Sequence, residues 1–460
     1  MKKYFIALLS VLTVLAFAAS AFALHTTAES EYTAGLVKAA TKAQLTLGGE
    51  LRIRGEFSKN TDDFNSDQKY NTGTTKGSSD NKQYYDERAR LNVRANVSQN
   101  TFGFVELETG SGSNDTFKWG SDDNAKRGSM DVRQAYIATQ GKGLGMLSGL
   151  KAGHMLLALG NNLFFDHTKS GDDAVLLWTT LGPGELSLIA IKLSEGAGNN
   201  GNSTTAAADT TKENDDTDAY VIAYGMNMGG VNVSADVTDI RDHSKQTYDK
   251  GSNLYNIGVR ADADLKVVKV KGDVEFQAGK ASEKATAPTE IKNKGIAFML
   301  GVEAPIGPVS IRANAAYGSG DKTDTADKNE AFQTFLSDNQ YYTYVYDYRV
   351  KGATLAKNGG ISNTTYGNIG VTAKPMDALK LAADVYVLKA SKEVSSATDK
   401  DSKKVGWEID AKAEYQIDTN LAYFVEGGYL SAGDFYKNIR TDGKDPDNPY
   451  AVRHGLLLKF

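Results

Sequence analysis

From Leu45 onward the chain alternates apolar and polar positions with a period of two, in one segment after another. Leu45, Leu47, Gly49, Leu51, Ile53, Gly55 and Phe57 interleave with Thr46, Gly48, Glu50, Arg52, Arg54 and Glu56. Tyr85, Glu87, Ala89, Leu91, Val93, Ala95 and Val97 then interleave with Asp86, Arg88, Arg90, Asn92, Arg94 and Asn96. The last eleven residues repeat the pattern, with Tyr450, Val452, His454, Leu456, Leu458 and Phe460 on one face and Ala451, Arg453, Gly455 and Lys459 mainly on the other. Successive side chains of a strand point to opposite faces, so each segment predicts a strand with lipid or core on one side and water on the other. A soluble edge strand shows the same alternation. The repetition along the whole chain is what separates the two.

Further strands are predicted at 101–110, 129–140, 148–158, 174–182, 185–194, 218–228, 231–240, 253–265, 267–280, 295–305, 309–318, 364–374, 379–391, 404–417 and 420–431. Their connections alternate between tight and long. Gly182-Pro183-Gly184, Gly229-Gly230, Pro305 to Pro308, Pro375 to Ala378 and Asp418-Thr419-Asn420 are tight, whereas 58–82, 111–128, 196–217, 281–294, 319–363 and 432–449 are long and polar. Short turns on one rim and long loops on the other are the asymmetry of an all-β, antiparallel up-and-down transmembrane barrel. The count is about eighteen strands over 43–460, or sixteen if short ones merge. Either even number places both termini on the periplasmic side. Within 319–363, the block Tyr341 to Tyr348 is expected to extend a strand, with folding over the mouth or touching a ligand as alternatives.

Ahead of the strands, Lys2 and Lys3, an apolar run from Phe5 to Phe17 and Ala21-Phe22-Ala23 read as a cleaved secretory signal over 1–23. A polar lead-in follows over 24–42, with room for a short amphipathic helix. After Ala23 no run of ~18 apolar residues remains to cross a bilayer as a helix. A mean hydropathy of −0.40 is polar for a membrane protein, but in a barrel only alternate residues meet lipid. The chain has 46 Gly, 23 Tyr and 17 Phe and no Cys, so an exported domain must be held by something other than disulfides; a closed ladder of backbone hydrogen bonds would do it. Removing Lys2 and Lys3 with the signal takes the net charge from −5 to −7, and no basic block is dense enough for nucleic acid.

The polar phase of the first two strands holds Arg52, Arg54, Arg88, Arg90 and Arg94, with Arg133 plausibly beside them. A charged side chain facing lipid near mid-bilayer costs ~2–4 kcal/mol, so these arginines should point into the lumen as a basic wall. The loop from Gly160 carries Phe164, Phe165, Asp166, His167, Lys169, Asp172 and Asp173; folded inward, its carboxylates would answer the arginines across the bore. Such opposed charges set up a transverse field that orders water and orients passing solutes. The plainer alternative pairs each arginine locally with Glu50, Glu56, Asp86 and Glu106. Phe164 and Phe165 are expected to pack the loop against the wall rather than touch solutes. His25, His154, His167, His243 and His454 do not cluster, no metal spacing occurs and no cofactor is expected.

Val132 to Ala138, Gly149 to His154 and the loop from Gly160 together resemble the fourth strand, fifth strand and third loop of general bacterial porins. The overall sequence is most similar to the outer-membrane homotrimeric porins of sulfate-reducing bacteria. The loop departs from the enterobacterial pattern, since it lacks a Pro-Glu-Phe-Gly-Gly-Asp run. The resemblance implies a Gram-negative outer-membrane location, a third loop infolded into the pore, self-association as a homotrimer and passive diffusion of small hydrophilic solutes and ions. Outer-membrane lipid and lipopolysaccharide are the expected surroundings. Tyr450, Leu456, Leu458 and Phe460 would form the assembly signal read by the barrel-assembly machinery. A substrate-specific channel or an adhesin using the long loops is the alternative function. An outer-membrane enzyme is disfavoured, because no serine sits in Gly-x-Ser-x-Gly.

Overall fold

A computed structural model describes residues 36–38, 44–62, 64–66, 81–109, 117–120, 130–143, 145–195, 216–243, 252–284, 287–322, 325, 327–337, 339–350, 359–393, 402–438 and 444–460. The expected signal segment, 1–23, lies outside them. Of the lead-in, Leu36–Lys38 form a short strand against Gln44 to Thr46, and the remainder is also outside.

Eighteen long antiparallel strands make up the wall. In chain order they are β1 (Gln44–Lys59), β2 (Lys82–Asn96), β3 (Thr101–Thr109), β4 (Met130–Gly143), β5 (Met146–Met155) and β6 (Asp172–Leu181). They continue with β7 (Gly184–Ser194), β8 (Thr217–Met228), β9 (Val231–Asp242), β10 (Ser252–Asp264), β11 (Lys269–Lys284) and β12 (Ile296–Ile306). The last six are β13 (Val309–Gly318), β14 (Thr364–Met376), β15 (Leu379–Ala390), β16 (Lys404–Asp418), β17 (Leu421–Ala432) and β18 (Tyr450–Lys459). Each pairs with its neighbours in sequence, and β18 returns to β1 in a register running from Lys59 opposite Tyr450 to Glu50 opposite Lys459. Gly49 and Phe460 exchange two backbone hydrogen bonds, 2.7 and 3.1 Å, so the seam closes to the final residue. The strand count is therefore eighteen, not sixteen. At the tight turn between β8 and β9, Gly229 and Gly230 both have positive φ (63° and 95°), the backbone that a two-residue hairpin requires and that glycine adopts without strain.

The phases fall as the alternation requires. Leu51 and Ile53 stand outward, 46% and 40% exposed, while Glu50, Arg54 and Glu56 on the alternate phase are buried inward. The lumen is not polar all round. On β7 and β8 the inward phase is mostly apolar, with Ile189, Ile191 and Val221 buried, and Ile240, Leu254, Ala297 and Met299 extend that apolar surface beside the buried polar residues of β9 to β11. They are buried because loops fold back into the bore and pack on them, so the hydrophobic core lies inside the barrel. Met155, Leu157, Phe164, Phe165 and Phe332 supply its loop side, each contributing roughly 1.5–3 kcal/mol on full burial. Ala158–Leu159, Phe165–Asp166 and Phe335–Leu336 pair there as a small separate sheet, joining the loop after β5 to the loop after β13.

The tyrosine block departs from expectation. Tyr341 to Tyr348 do not extend a strand; they turn inward, with Tyr344 fully buried. The wall carries partners for both their backbone and their rings. The N–H groups of Tyr344, Val345 and Tyr346 donate to Asp410 and Glu408 of β16 at 2.6–2.9 Å. Tyr342 stacks on Tyr366 of β14, and the Tyr386 hydroxyl donates to the Tyr342 carbonyl.

The alternation has a direct test. Ile53→Arg puts a cation outward into lipid and should cost ~2–4 kcal/mol in the urea unfolding of the reconstituted barrel. Asn92→Arg, on the inward phase of β2, should change it by well under half of that.

Candidate pore constriction

Strand register assembles the basic wall. Arg52 lies opposite Arg88 across β1 and β2, and Glu56 lies opposite Arg453 across β1 and β18. Arg133 arrives by a different device. The β3–β4 ladder pairs Glu106 with Gln134 and then Leu107 with Val132, which leaves Arg133 as an extra residue in a bulge and turns its side chain inward. Arg52, Arg54, Arg88, Arg90, Arg133 and Arg453 line one side of a cavity of about 320 Å³. Thr168, Lys169, Asn339, Gln340 and Tyr348, from the two infolded loops, line the rest.

So many guanidinium groups coexist because carboxylates stand behind them. Arg54 makes two bonds to Asp86 (3.1 and 2.6 Å), Arg88 bonds Glu50 at 2.5 Å, and Arg453 bonds Glu426 at 2.6 and 2.8 Å. Arg90 pairs with Glu108 and Arg133 with Glu106. Both partners of each pair are largely buried, but the arginines line the cavity and none of these carboxylates does. Arg349, from the inner loop, reaches Glu56 at 2.7 Å and packs over Tyr344 and Tyr348. The surface offered to the bore is therefore cationic, with its counter-charge recessed.

Arg94 stands apart from this group. It sits nearer the turn rim opposite Thr46, with its guanidinium 3.6 Å over the Phe102 ring and its Nε donating to Asn96. The stack on Phe102 holds it away from the cavity.

The loop over 156–171 crosses the bore, but its carboxylates do not face the arginines. Asp166 is buried, accepting from the Thr168 N–H at 2.9 Å and from the Asn339 amide at 3.2 Å. Asp172 bonds His167 Nδ1 at 2.8 Å. Asp173 belongs to β6 and takes the outward phase with Val175 and Leu177; it pairs with His154 and its side chain is 74% exposed. The expected opposition of Asp166, Asp172 and Asp173 to the basic wall is thus replaced by pairing within the loop and by an outward strand phase. Instead the loop presents Lys169 to the cavity, and the carbonyls of Thr168 and Lys169 accept from Arg133 at 2.6 and 3.2 Å. Phe164 and Phe165 are fully buried, Phe164 against Phe332 and Phe335.

A second charge cluster on the facing wall pins the loop's tip. Arg260 of β10 is buried between Asp236, Asp273 and Glu275, and Asp273 also accepts from the backbone and side-chain amides of Asn161, both at 3.1 Å. Gly160 turns there with φ +66°, and a side chain on it would run into the Arg260 guanidinium. At the seam, Phe460 lies over Gly49 and Tyr450 packs near Phe57, while Leu456 and Phe460 remain exposed outward. Arg453 was legible by the same phase argument as Arg52. Asn339, Gln340, Tyr348 and Arg349 lie in an irregular segment where no periodicity marks them.

A closed barrel with short turns, inward loops and a charged bore defines a bacterial outer-membrane porin type of protein. More particularly, the chain belongs to the alginate export family, whose model matches residues 43–445. Among solved structures it is similar to OccK9 (OpdG) of Pseudomonas aeruginosa, with TM-score 0.54 and 12% identity over 90% of this chain and 98% of that one. OccK8 (OprE) of the same organism gives 0.52 and 10%, again over 90% of this chain and 98% of that one. A BenF-like porin from Pseudomonas fluorescens Pf-5 gives 0.51 and 11%, with the same coverage of both chains. At these identities the likeness is one of fold. No curated protein matches the sequence.

Removing the buried cation at the loop anchor should be costly. Arg260→Leu leaves three carboxylates uncompensated in the interior and should lower the unfolding free energy by ~3–5 kcal/mol in urea.

Proposed function

We propose that this protein is an outer-membrane channel that passes small hydrophilic solutes and ions by passive diffusion, screened by size and favouring anions. The observation that carries this reading is the cavity whose arginines face the bore while their carboxylates lie behind them. The inner loop adds Lys169 and spends its own carboxylates elsewhere, so the sign of the field is set by the arginines. A concave site lined by one charge raises the local concentration of the opposite one. The description of the family, alginate export, names traffic in a polyanion, which suits the same sign. A second reading is a channel selective for one class of anionic solute. The small bore favours it, since Asn339, Gln340 and Tyr348 stand where they can bond a solute held by the arginines.

The same reading includes export by the signal at 1–23, no catalytic activity, and residence among outer-membrane lipid and lipopolysaccharide. It also includes assembly through the C-terminal strand and association as a homotrimer. The resemblance to homotrimeric porins supports the last of these, as do the small outward residues Ala89 and Ala95, whereas Gly49 and Gly55 lie under Phe460, Tyr85 and His454.

Planar-bilayer recording under a KCl gradient tests the proposal. The expected result is ohmic steps in groups of three with a reversal potential on the chloride side. Lys169→Glu, which reverses one charge at the cavity, should move that potential toward the potassium side by several millivolts or more. A silent barrel, or a wild type that prefers potassium, would sink it.

A further inference from the structure

The tyrosine-rich segment is held by an unusual set of acceptors. Asp347 of the segment and Glu408 and Asp410 of β16 are all buried, Glu408 completely. Among the described residues none of the three carboxylates forms an ion pair, and what they accept is neutral N–H. Asp347 takes the Tyr341 N–H at 2.8 Å, while Glu408 and Asp410 take those of Tyr344, Val345 and Tyr346. The surrounding elements bring little positive charge. Tyr366 of β14, Tyr386 of β15, Tyr436 and Asp166 face this group, and Asp384 of β15 is already paired with Arg312 of β13. The nearest cations on the other side, Arg349 and Arg453, are engaged by Glu56 and Glu426. The same segment lines the cavity through Tyr348, next to Gln340, so its position governs the space left there.

We propose that segment 341–350 is a pH-controlled gate, latched inward while the carboxylates of Asp347, Glu408 and Asp410 share protons and released as they ionise. The inference rests on the channel reading only for the gate's effect on conduction; the latch itself stands on the carboxylate geometry. Burial pushes the Asp347 carboxyl up to about 7. A released segment would titrate near the ordinary carboxylate value of ~4, so the latched state binds the proton more tightly. The sign follows. As pH rises from ~4 through about 7 the latched state loses weight, about tenfold per pH unit for each proton released, and then levels off. The gate is closed in acid and open in mild base.

Two readouts on the full-length barrel test this, one independent of conduction. Amide exchange of Tyr344, Val345 and Tyr346, corrected for the intrinsic rate, should lose at least tenfold protection between about pH 5.5 and 7.5 while β16 amides hold. Single-channel conductance should rise over the same window. Asp347→Asn should keep both the protection and the low conductance at the upper pH, and Glu408→Gln serves the same purpose if the first variant does not fold. Protection and conductance that stay flat with pH, or an Asp347→Asn barrel that responds as the wild type does, would overturn the gate. Loss of protection in a barrel that never conducts would support the latch and sink the channel reading.

Discussion

Everything in this molecule depends on the pairing of β1 with β18. Inside a bilayer an unpaired N–H or C=O has no water to turn to, so a sheet that spans lipid must leave no edge. The exchange between Gly49 and Phe460 removes the last of it. Once the sheet is closed, each strand has one face in lipid and one in the bore, and a slip of one residue would send Arg52, Arg54, Arg88 and Arg90 outward together. The register is thus set as much by where charges are forbidden as by where they are useful.

Closure with eighteen strands leaves a bore wide enough for an aqueous channel, and here loops occupy part of it. That occupation is asymmetric. Apolar inward residues of β7, β8 and β12, together with the buried charge cluster around Arg260, receive the loops after β5 and β13, and the charged inward residues of β1, β2, β4 and β18 line a cavity on the other side. The passage therefore runs along one wall. Its charge is shaped by depth and not by net count. Arg54, Arg88, Arg90, Arg133 and Arg453 are each backed by a hydrogen-bonded carboxylate, so those pairs nearly cancel at a distance. A solute in the cavity meets the cation first, so at short range the attraction to the nearer guanidinium exceeds the repulsion from the carboxylate behind it, and more so in a partly water-excluded site than in bulk water.

The wall was legible because a strand writes its two faces in alternate letters, and all eighteen segments were marked that way. The inward arginines followed from the same alternation plus the cost of charge in lipid. Three things escaped it. Arg133 belongs to the wall as expected, but the bulge that turns it inward is something parity cannot show. Asp173 looks like one more loop carboxylate, yet β6 starts one residue before it and its parity is outward. Tyr341 to Tyr348 were misread because aromatic residues suit strands, whereas their rings and amides found partners on the inner wall, at Tyr366, Tyr386, Glu408 and Asp410, far away in sequence.

The two inner loops are held by opposite kinds of chemistry, and that difference matters to the passage between them. The first is tied down by apolar packing of Phe164 and Phe165 and by Arg260, whose charge answers the carboxylates around it. There each carboxylate faces a guanidinium, so this side of the bore is held by paired charge. The second hangs on carboxylates that receive only amide dipoles, together with one ion pair from Arg349 to Glu56. An amide dipole stabilises a buried anion less completely than a cation does, so burying the segment and ionising its acceptors oppose one another. The cavity thus has an arginine wall and one loop held by paired charge and apolar packing, and a third side whose position is conditional on the protonation of the carboxylates that hold it.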